Sequence, residues 1–315
     1  MKRLFTFLLC AALVLSLAAC GSSEEPAPTA TPTAAPTLAP TEAPTEPAEE
    51  TAPVQETEPA PQLKAPENQV IVDNESATFI LTKVEQSEHL GMQLHVQCVN
   101  KTDRALIFSW DMVSVCGYMY DPFWAEEVAA GKTANSTVDL DTYALEKMGI
   151  LSVDEVSFTL RIYDSEDWME EPIVLEVFTV YPTGMNAETV RYPVREETAG
   201  QVVVVDDENV RFVIEWADGE DSYAYTVYTY MENKTDKNLM FAWDLVSVNG
   251  IMADPFWATM VSAGKNACSA INFYRSDLEA NGITDVSEID FTLTVTDYEN
   301  WEASPLLEGV YTYKP

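Results

Sequence analysis

Carboxylates are the side chains of this sequence best placed to do chemistry, because the chain carries 52 Asp and Glu. A glycoside hydrolase would need two of them facing one cleft, with about 5 to 9.5 Å between the carboxyl groups. Asp111 and Asp121 are the best candidates. If Cys116 and Gly117 close a two-residue hairpin, however, strand alternation points these two side chains to opposite faces of the sheet. We therefore expect Asp121 to form a turn rather than to catalyse hydrolysis.

The chain has few residues that could support catalysis by an imidazole or a thiol. The chain has 2 His and 5 Cys, and neither His89 nor His95 recurs where the sequence repeats. A serine triad would need a nucleophile-elbow motif, which the sequence lacks. Cys98, Cys116 and Cys268 also fail to recur, so we expect inert thiols rather than disulfides, with Cys116 in a turn as the most reactive. The sequence predicts a protein that is not an enzyme and uses no cofactor.

Two acidic loops are the weak candidates for a metal site. Asp164 and Glu166 recur as Asp297 and Glu299, which places closely spaced oxygen atoms in both loops. Calcium prefers such ligands, but the loops lack the central Gly and the twelfth-position Glu of an EF-hand. We favour solvated acids beside a packed Trp168 or Trp301, and we predict no metal.

Aromatic residues suggest a binding surface instead. Trp124 and Trp257 end two copies of the motif Asp-Pro-Phe-Trp, which begin at Asp121 and Asp254. Such a Trp packs in a core or, exposed at a loop rim, stacks on a sugar or contacts a partner; the core is favoured. A second candidate surface holds Tyr228 and Tyr230, which alternate with an inward-facing set and face either solvent or a neighbouring element.

These residues belong to a sequence that repeats itself. A shift of 133 positions aligns residue 69 to the C-terminus without a gap and superimposes both Asp-Pro-Phe-Trp motifs. From 100 to 136, 24 of 37 positions are identical, whereas from 69 to 99 only 5 of 31 are. Internal repetition at this length predicts tandem domains. We place domain 1 at 67–183, a linker at 184–199 and domain 2 at 200–315.

The repeated unit has the pattern of an all-β fold. Short segments rich in Val, Ile, Phe, Thr and Tyr alternate with turn residues. Asn249 and Gly250 form a typical two-residue hairpin turn. One helical turn is expected in each copy, before Gly149 and before Gly282, with Ser276 to Glu279 fitting a capping box. We therefore predict two tandem immunoglobulin-like antiparallel β-sandwich domains, each with one short helical turn.

A resemblance supports this fold. The run Asn-Lys-Thr-Asp, an aromatic strand into Val-Asn-Gly, then Ala-Gly-Lys, Leu-Glu-x-x-Gly-Ile and Phe-Thr-Leu-x-x-x-Asp resembles a family of uncharacterised immunoglobulin-like domains in lipoproteins of Gram-positive bacteria. The resemblance covers both copies. It implies a fold and no activity.

The N-terminus carries an export signal. Within residues 1–20, the basic Lys2 and Arg3 follow Met1 and are followed by 16 uncharged residues, fewer than the roughly 20 that span a bilayer. The ending Leu-Ala-Ala-Cys resembles the lipobox of bacterial lipoproteins, which implies cleavage before Cys20 and lipidation of its thiol. A plain secretory signal and an uncleaved anchor are the alternatives. We expect a lipid-anchored protein on the extracytoplasmic face of the cell membrane.

The segment 21–66 predicts a disordered tether. It holds 11 Pro and 8 Glu with no aromatic residue, so it cannot bury enough apolar surface to order itself. The chain has a formal charge of −35, which excludes nucleic acid as a partner because phosphate backbones need clustered Lys and Arg.

Together these features predict a surface-exposed, lipid-anchored binding or interaction module without catalysis. Its membrane contact is the lipid anchor, and its further partner is a protein or a glycan at the cell surface. A glycan or cell-wall binding module that uses exposed Trp is one alternative, and a calcium-binding adhesion module is another. A hydrolase is the least favoured.

Overall fold

A computed structural model describes residues 64–87, 90–300 and 302–315. The predictions for the signal peptide, Cys20, residues 21–63 of the tether, His89 and Trp301 lie outside these residues. The described part of the chain belongs to one compact unit. The domain boundaries at 67–183 and 200–315 stay a prediction.

Both copies follow the same order of short strands with one short helix. Copy one contains β1 (Gln69–Asp73), β2 (Ala77–Ser87), β3 (Gly91–Asn100), β4 (Leu106–Val115), β5 (Tyr118–Met119), β6 (Ala125–Val128), β7 (Thr133–Leu140), α1 (Thr142–Lys147), β8 (Val156–Asp164) and β9 (Val174–Val180). Copy two contains β10 (Val202–Asp206), β11 (Val210–Asp218), β12 (Ala224–Asn233), β13 (Leu239–Val248), β14 (Ile251–Met252), β15 (Ala258–Val261), β16 (Asn266–Tyr274), α2 (Arg275–Ala280), β17 (Ile289–Asp297) and β18 (Leu307–Tyr313). The predicted all-β fold is confirmed.

The strands form three sheets. The first has four strands in the order β1-β2-β3-β7, and the last has β14-β13-β17-β18 with β15 also paired to β13. Between them lies a nine-stranded sheet in the order β10-β11-β12-β16-β5-β4-β8-β9, with β6 also paired to β4. Every pairing is antiparallel except the bridge between Tyr118 of β5 and Asn266 of β16, which is parallel. One sheet of copy one is therefore continuous with one sheet of copy two.

Each copy encloses its own hydrophobic core, built from inward-facing positions of two sheets. In copy one the indole of Trp110 stacks on the ring of Phe158 with 3.8 Å between centroids. In copy two Trp243 stacks on Phe291 at the same 3.8 Å. The predicted alternation on β3 is confirmed, since Leu94, Val96 and Cys98 are buried while their neighbours are not fully buried. Residues 133 positions apart thus occupy equivalent places in the two cores.

The hairpin turns were predicted correctly and the helix start was not. Cys116 and Asn249 both have positive φ angles, of 45° and 51°, and each is followed by a Gly at positive φ. The capping box is wrong, because α2 begins after Tyr274, which makes no side-chain cap, and Ser276 lies inside the helix. In copy one the cap is Asp141, whose carboxylate accepts from the N–H groups of Tyr143 and Ala144.

Among the described residues, no helix is long and apolar enough to cross a bilayer.

Candidate binding site

Part of the segment that the two copies share has a structural role. The side chain of Asn100 is buried, and its Nδ2 donates to the carbonyls of Arg104 (2.7 Å) and Val128 (2.8 Å). Asn233 does the same for Lys237 (2.7 Å) and Val261 (2.8 Å). The Asn of Asn-Lys-Thr-Asp therefore joins the turn after β3 or β12 to the end of β6 or β15.

The Asp-Pro-Phe-Trp loop holds a Phe out of the core in both copies. Oδ1 of Asp121 accepts from the N–H of Phe123 at 2.7 Å, and Oδ1 of Asp254 accepts from the N–H of Phe256 at 2.8 Å. Both Asp residues are thus turn formers. Each Phe has a positive φ, of 51° and 50°, and is 91% exposed. A bulky residue rarely adopts this backbone conformation, which costs of order 1–3 kcal/mol.

Trp124 and Trp257 are buried, at 8% exposure each, so the alternative that placed them at a loop rim is wrong. Their Nε1 groups donate to Oγ of Ser136 (3.1 Å) and Ser269 (3.0 Å). The exposed aromatic residue of each loop is the preceding Phe, whose positive φ turns its side chain out of the core. The sequence carried no periodic signal for this, because strand alternation does not hold at a residue with positive φ.

A cleft opens beside this loop in copy two. It has a volume of about 280 Å³ and lies between the residues that precede Trp257 and helix α2. Its lining combines apolar side chains with two carboxylates and two amides. The lining residues are Met252, Ala253, Asp254, Pro255, Phe256, Asn272, Phe273, Tyr274, Asp277, Leu278 and Asn281.

Copy one fills the same place with a side chain of its own. Tyr120 occupies the position of Ala253, and its hydroxyl accepts from the N–H of Asp141 at 2.9 Å. Asp141 is the counterpart of Tyr274, which lines the cleft in copy two. The phenol of Tyr120 therefore spans the equivalent of the cleft, and burial raises its pKa above the usual range of a tyrosine. The exchange of Tyr for Ala within a strongly shared segment was visible in the sequence, and our prediction missed its meaning.

Tyr230 is not part of an exposed aromatic patch. It is buried against copy one, where its ring lies 6.3 Å from the ring of Tyr118 and the guanidinium of Arg195 lies 4.4 Å above it. Tyr228 stacks on Trp216 with 3.9 Å between ring centroids. We predicted that Tyr230 faces either solvent or a neighbouring element, and the structure shows that it faces a neighbouring element.

The joint between the copies contains a larger cavity, of about 480 Å³. Its linker residue Arg195 lies 3.0 Å from the carboxylate of Glu215 and also donates to Gln201. The cation of Arg195 is thus already paired with a carboxylate and covered by a ring. The other lining cation, Lys147, lies over the ring of Tyr143, and the carboxylates Glu146, Glu196 and Glu215 would repel an anion. We therefore treat this cavity as part of the joint and take the cleft in copy two as the candidate site.

The candidate metal loops are closed by cations of the chain. Arg104 contacts Asp164 at 2.8 Å, and its counterpart Lys237 contacts Asp297 at 2.7 Å. The hydrogen bond from Lys237 lowers the pKa of Asp297. Both Asp residues also cap their own turns, by accepting from the N–H groups of Glu166 (2.8 Å) and Glu299 (3.1 Å).

Nothing else in the described part of the chain replaces those loops as a metal site. Its residues contain no group of three or more His, Cys, Asp or Glu able to hold a metal ion. The prediction of a packed Trp168 is wrong, because that side chain is mostly exposed.

The strand alternation assumed for Asp111 does not hold. Met112 has a φ of 51° and lies in a bulge, where the register between β4 and β8 shifts. As a result, two residues that are not fully buried, Asp111 and Met112, stand between the buried Trp110 and Val113 where alternation would allow one. Burial raises the pKa of Asp111, the charge of Arg161 lowers it, and the charge of Asp121 adds a smaller upward contribution. A periodic pattern cannot reveal such an inserted residue.

The expectation of a reactive Cys116 is wrong as well. Its thiol is buried beneath the turn, with Sγ 3.4 Å from the carbonyl oxygen of Ser152, and burial raises its pKa. Cys268 is more accessible, but burial raises the pKa of its thiol to about 12, which keeps it protonated at neutral pH.

No model of a known protein family matches the chain, and no curated protein matches it. The resemblance to immunoglobulin-like domains of lipoproteins stays a prediction.

Proposed function

We propose that the protein is a lipid-anchored, non-enzymatic surface protein whose second copy binds an aromatic group in the cleft beside Phe256. One observation carries the proposal. The same fold appears twice in the chain, and copy one closes the cleft with Tyr120 where copy two has Ala253. This place therefore accommodates a phenol ring in copy one, whereas in copy two Ala253 is too short to fill it and Tyr274 lines the wall.

The chemistry of the lining favours a ring without negative charge. Met252, Phe273 and Leu278 offer apolar surface, while Asp254 and Asp277 contribute carboxylates at the rim. A ligand carboxylate or phosphate would meet these acids and the strongly negative field of the whole chain. A tyrosine side chain of another protein, or a small phenol carrying a cation, meets both requirements.

Phe256 supports the same interpretation. It lines the cleft, projects into solvent and is held there by the turn at Asp254 despite its unfavourable backbone conformation. Phe123 of copy one has the same conformation, but there Tyr120 fills the adjacent place. Exposed aromatic residues are also the side chains that contribute most to binding energy when a partner covers them.

The membrane part of the proposal rests on the first 20 residues. Their apolar stretch is short for a transmembrane helix, and Cys20 follows the small residues of a lipobox-like ending. Labelling of cells with a fatty-acid analogue tests this assignment. We expect label on the wild-type chain and none on Cys20→Ala, whereas label retained by the variant contradicts the anchor.

Equilibrium dialysis of the full chain with tyramine tests the cleft. We expect one tyramine bound per chain, and weaker binding of 4-hydroxyphenylacetate, which replaces the amine by a carboxylate. Ala253→Tyr fills the cleft as copy one does and should abolish binding. Tyr120→Ala opens the equivalent place in copy one and should raise the stoichiometry towards two.

Binding that persists in Ala253→Tyr would show that tyramine lies elsewhere and would remove the proposal. Circular dichroism and thermal melting of both variants control for the fold. The two alternatives are less favoured: the Trp residues meant to stack on a glycan are buried, and two of the four acids meant to bind calcium, Asp164 and Asp297, are paired with Arg104 and Lys237.

A further inference from the structure

The joint between the copies uses two different surfaces. The first, which we call the hairpin face, consists of the β4–β5 turn of copy one and the adjacent Tyr118 and Glu155. The second, which we call the edge face, consists of Lys265 and Asn266 at the start of β16 in copy two. The N–H of Asn266 donates to the carbonyl of Gly117 at 2.9 Å, and Nζ of Lys265 lies 3.4 Å from Oε1 of Glu155. This is a head-to-tail contact, because the two surfaces are not equivalent.

Copy two carries a second hairpin face that the described part of the chain leaves uncovered. Ile251 is 40% exposed, whereas its counterpart Tyr118 is 3% exposed in the joint; Met252 is 60% exposed, whereas its counterpart Met119 is partly buried. Glu288 retains the carboxylate of Glu155. Strand β14 forms the end of its sheet, where β5 lies between β4 and β16.

Copy one carries a second edge face, which no other residue of 64–87, 90–300 or 302–315 covers. Strand β7 ends its sheet, while its counterpart β16 continues into β5. Lys132 and Thr133, the counterparts of Lys265 and Asn266, are both exposed. A strand edge with unpaired backbone groups is a template for pairing with another chain.

We propose that copies of this chain associate head to tail, with the hairpin face of copy two in one chain docked on the edge face of copy one in the next. The N–H of Thr133 then donates to the carbonyl of Gly250, and Lys132 pairs with Glu288. Strand β7 of one chain then lies beside strand β14 of its neighbour, in the same way that β16 lies beside β5 within one chain. Because the two faces differ, the contact repeats and builds chains of molecules rather than closed dimers.

This contact is weaker than the internal one. Gln97 and Asn135 stand where Tyr230 and Cys268 pack against copy one, so less apolar surface is covered. The two copies of one chain are also held together by the linker, which gives them a high effective concentration. The charge of −35 opposes association between chains, so added salt should strengthen it.

Cysteine cross-linking of the full chain tests the geometry. Thr133→Cys and Ile251→Cys introduce thiols at positions equivalent to the paired residues Asn266 and Tyr118. With a short bismaleimide, we expect the double variant to form a ladder of dimers, trimers and larger species. Each single variant should stay monomeric, and Tyr118→Cys with Asn266→Cys should link within one chain without a change in mass.

Charge reversal tests the pairing independently of cross-linking. Lys132→Glu should raise the dissociation constant measured by sedimentation about tenfold or more, and Glu288→Lys should do the same. The double reversal should restore association towards the wild-type value, which a mere loss of stability would not do. Melting curves of the three variants control for folding, since Glu288 also pairs with Lys314 at 2.8 Å.

Three results would overturn the proposal: no ladder at any concentration, a dimer cross-linked through Ile251→Cys alone, or association unchanged by Lys132→Glu. Met252 belongs to both the hairpin face and the cleft, so tyramine binding is measured at a protein concentration at which sedimentation shows a monomer, and its outcome is then independent of these three results.

Discussion

Glu155 and Glu288 hold the same position in the two copies, yet one is buried in the joint and the other lies near the surface. Glu155 contacts Lys265 of copy two and accepts from the hydroxyl of the linker residue Tyr192 at 2.7 Å. Glu288 pairs with Lys314 in its own copy. The fold of the repeat fixes where the carboxylate stands, and the neighbour decides whether it is buried.

The interior of the two copies shows the opposite behaviour. Trp110 and Trp243 stack on Phe158 and Phe291 in matching geometry, and the Nε1 atom of each Trp is buried without a hydrogen-bond partner. Two kinds of position therefore differ: core residues have the same environment in both copies, whereas residues at the joint have an environment that depends on the neighbouring copy. Four predictions test that difference.

The largest effect is expected in the cores. Trp110→Ala and Trp243→Ala should each lower the free energy of unfolding by about 3–5 kcal/mol, because each removes a buried indole and leaves a cavity. Urea titration of the full chain, followed by circular dichroism, measures both. Trp→Phe at the same positions is the matched control and should cost less, since it also removes the unpaired Nε1. Clearly unequal losses in the two copies would break the equivalence of the cores.

A slightly smaller effect is expected at the buried Asn of the repeated motif. Asn100→Ala and Asn233→Ala each remove the amide that donates to the buried carbonyl of Val128 or Val261 and accepts from the next turn, at a cost of about 1–3 kcal/mol in the free energy of unfolding. The same titration measures it. Lys101→Ala, at the next position of the motif, is an exposed comparison. An equal loss for that variant would show that the motif does not act through the amide.

Local patterns in the sequence predicted much of this fold. The alternating residues of β3 and the Asn249–Gly250 turn were found because each depends on a few neighbours in the chain. The bulge at Met112 and the burial of Tyr230 were not, because the first inserts a residue into the period and the second depends on copy one. The cleft exists because copy two has Ala253 where copy one has Tyr120. The sequence shows this difference, but only the structure shows that the side chain of Tyr120 fills the space that is open in copy two.

The joint gives the third prediction and the sharpest contrast. Glu155→Ala removes a buried carboxylate and leaves Lys265 and Tyr192 without it, which should cost about 1–3 kcal/mol. Glu288→Ala changes the counterpart near the surface and should stay within about 0.5 kcal/mol. Urea titrations of both variants beside the wild type measure the difference. Equal effects would show that the joint adds nothing to the stability of the chain.

The smallest effect concerns an ion pair that both copies keep at the surface. Nζ of Lys101 lies 2.6 Å from Oδ1 of Asp73, and Nζ of Lys234 lies 2.6 Å from Oδ1 of Asp206. The hydrogen bond from the lysine holds the pKa of each carboxyl below its usual range. A carboxyl whose pKa is lowered by folding stabilises the fold above the pKa of the unfolded chain, and the contribution is lost as the pH falls through the folded value.

Lys101→Met and Lys234→Met should therefore be slightly less stable than the wild type at pH 7, and the difference should disappear as the pH falls below the carboxyl pKa values. Methionine keeps most of the aliphatic chain, so the variants isolate the charge. Thermal melting at pH 7 and under acid conditions measures the difference. A deficit of the same size in acid would mean that packing rather than the ion pair is responsible. The deficit should be smaller for Lys234→Met than for Lys101→Met, because Arg211 lies 3.6 Å from the carboxylate of Asp206 and remains as a second cation, whereas Asp73 has Thr78 at the equivalent place.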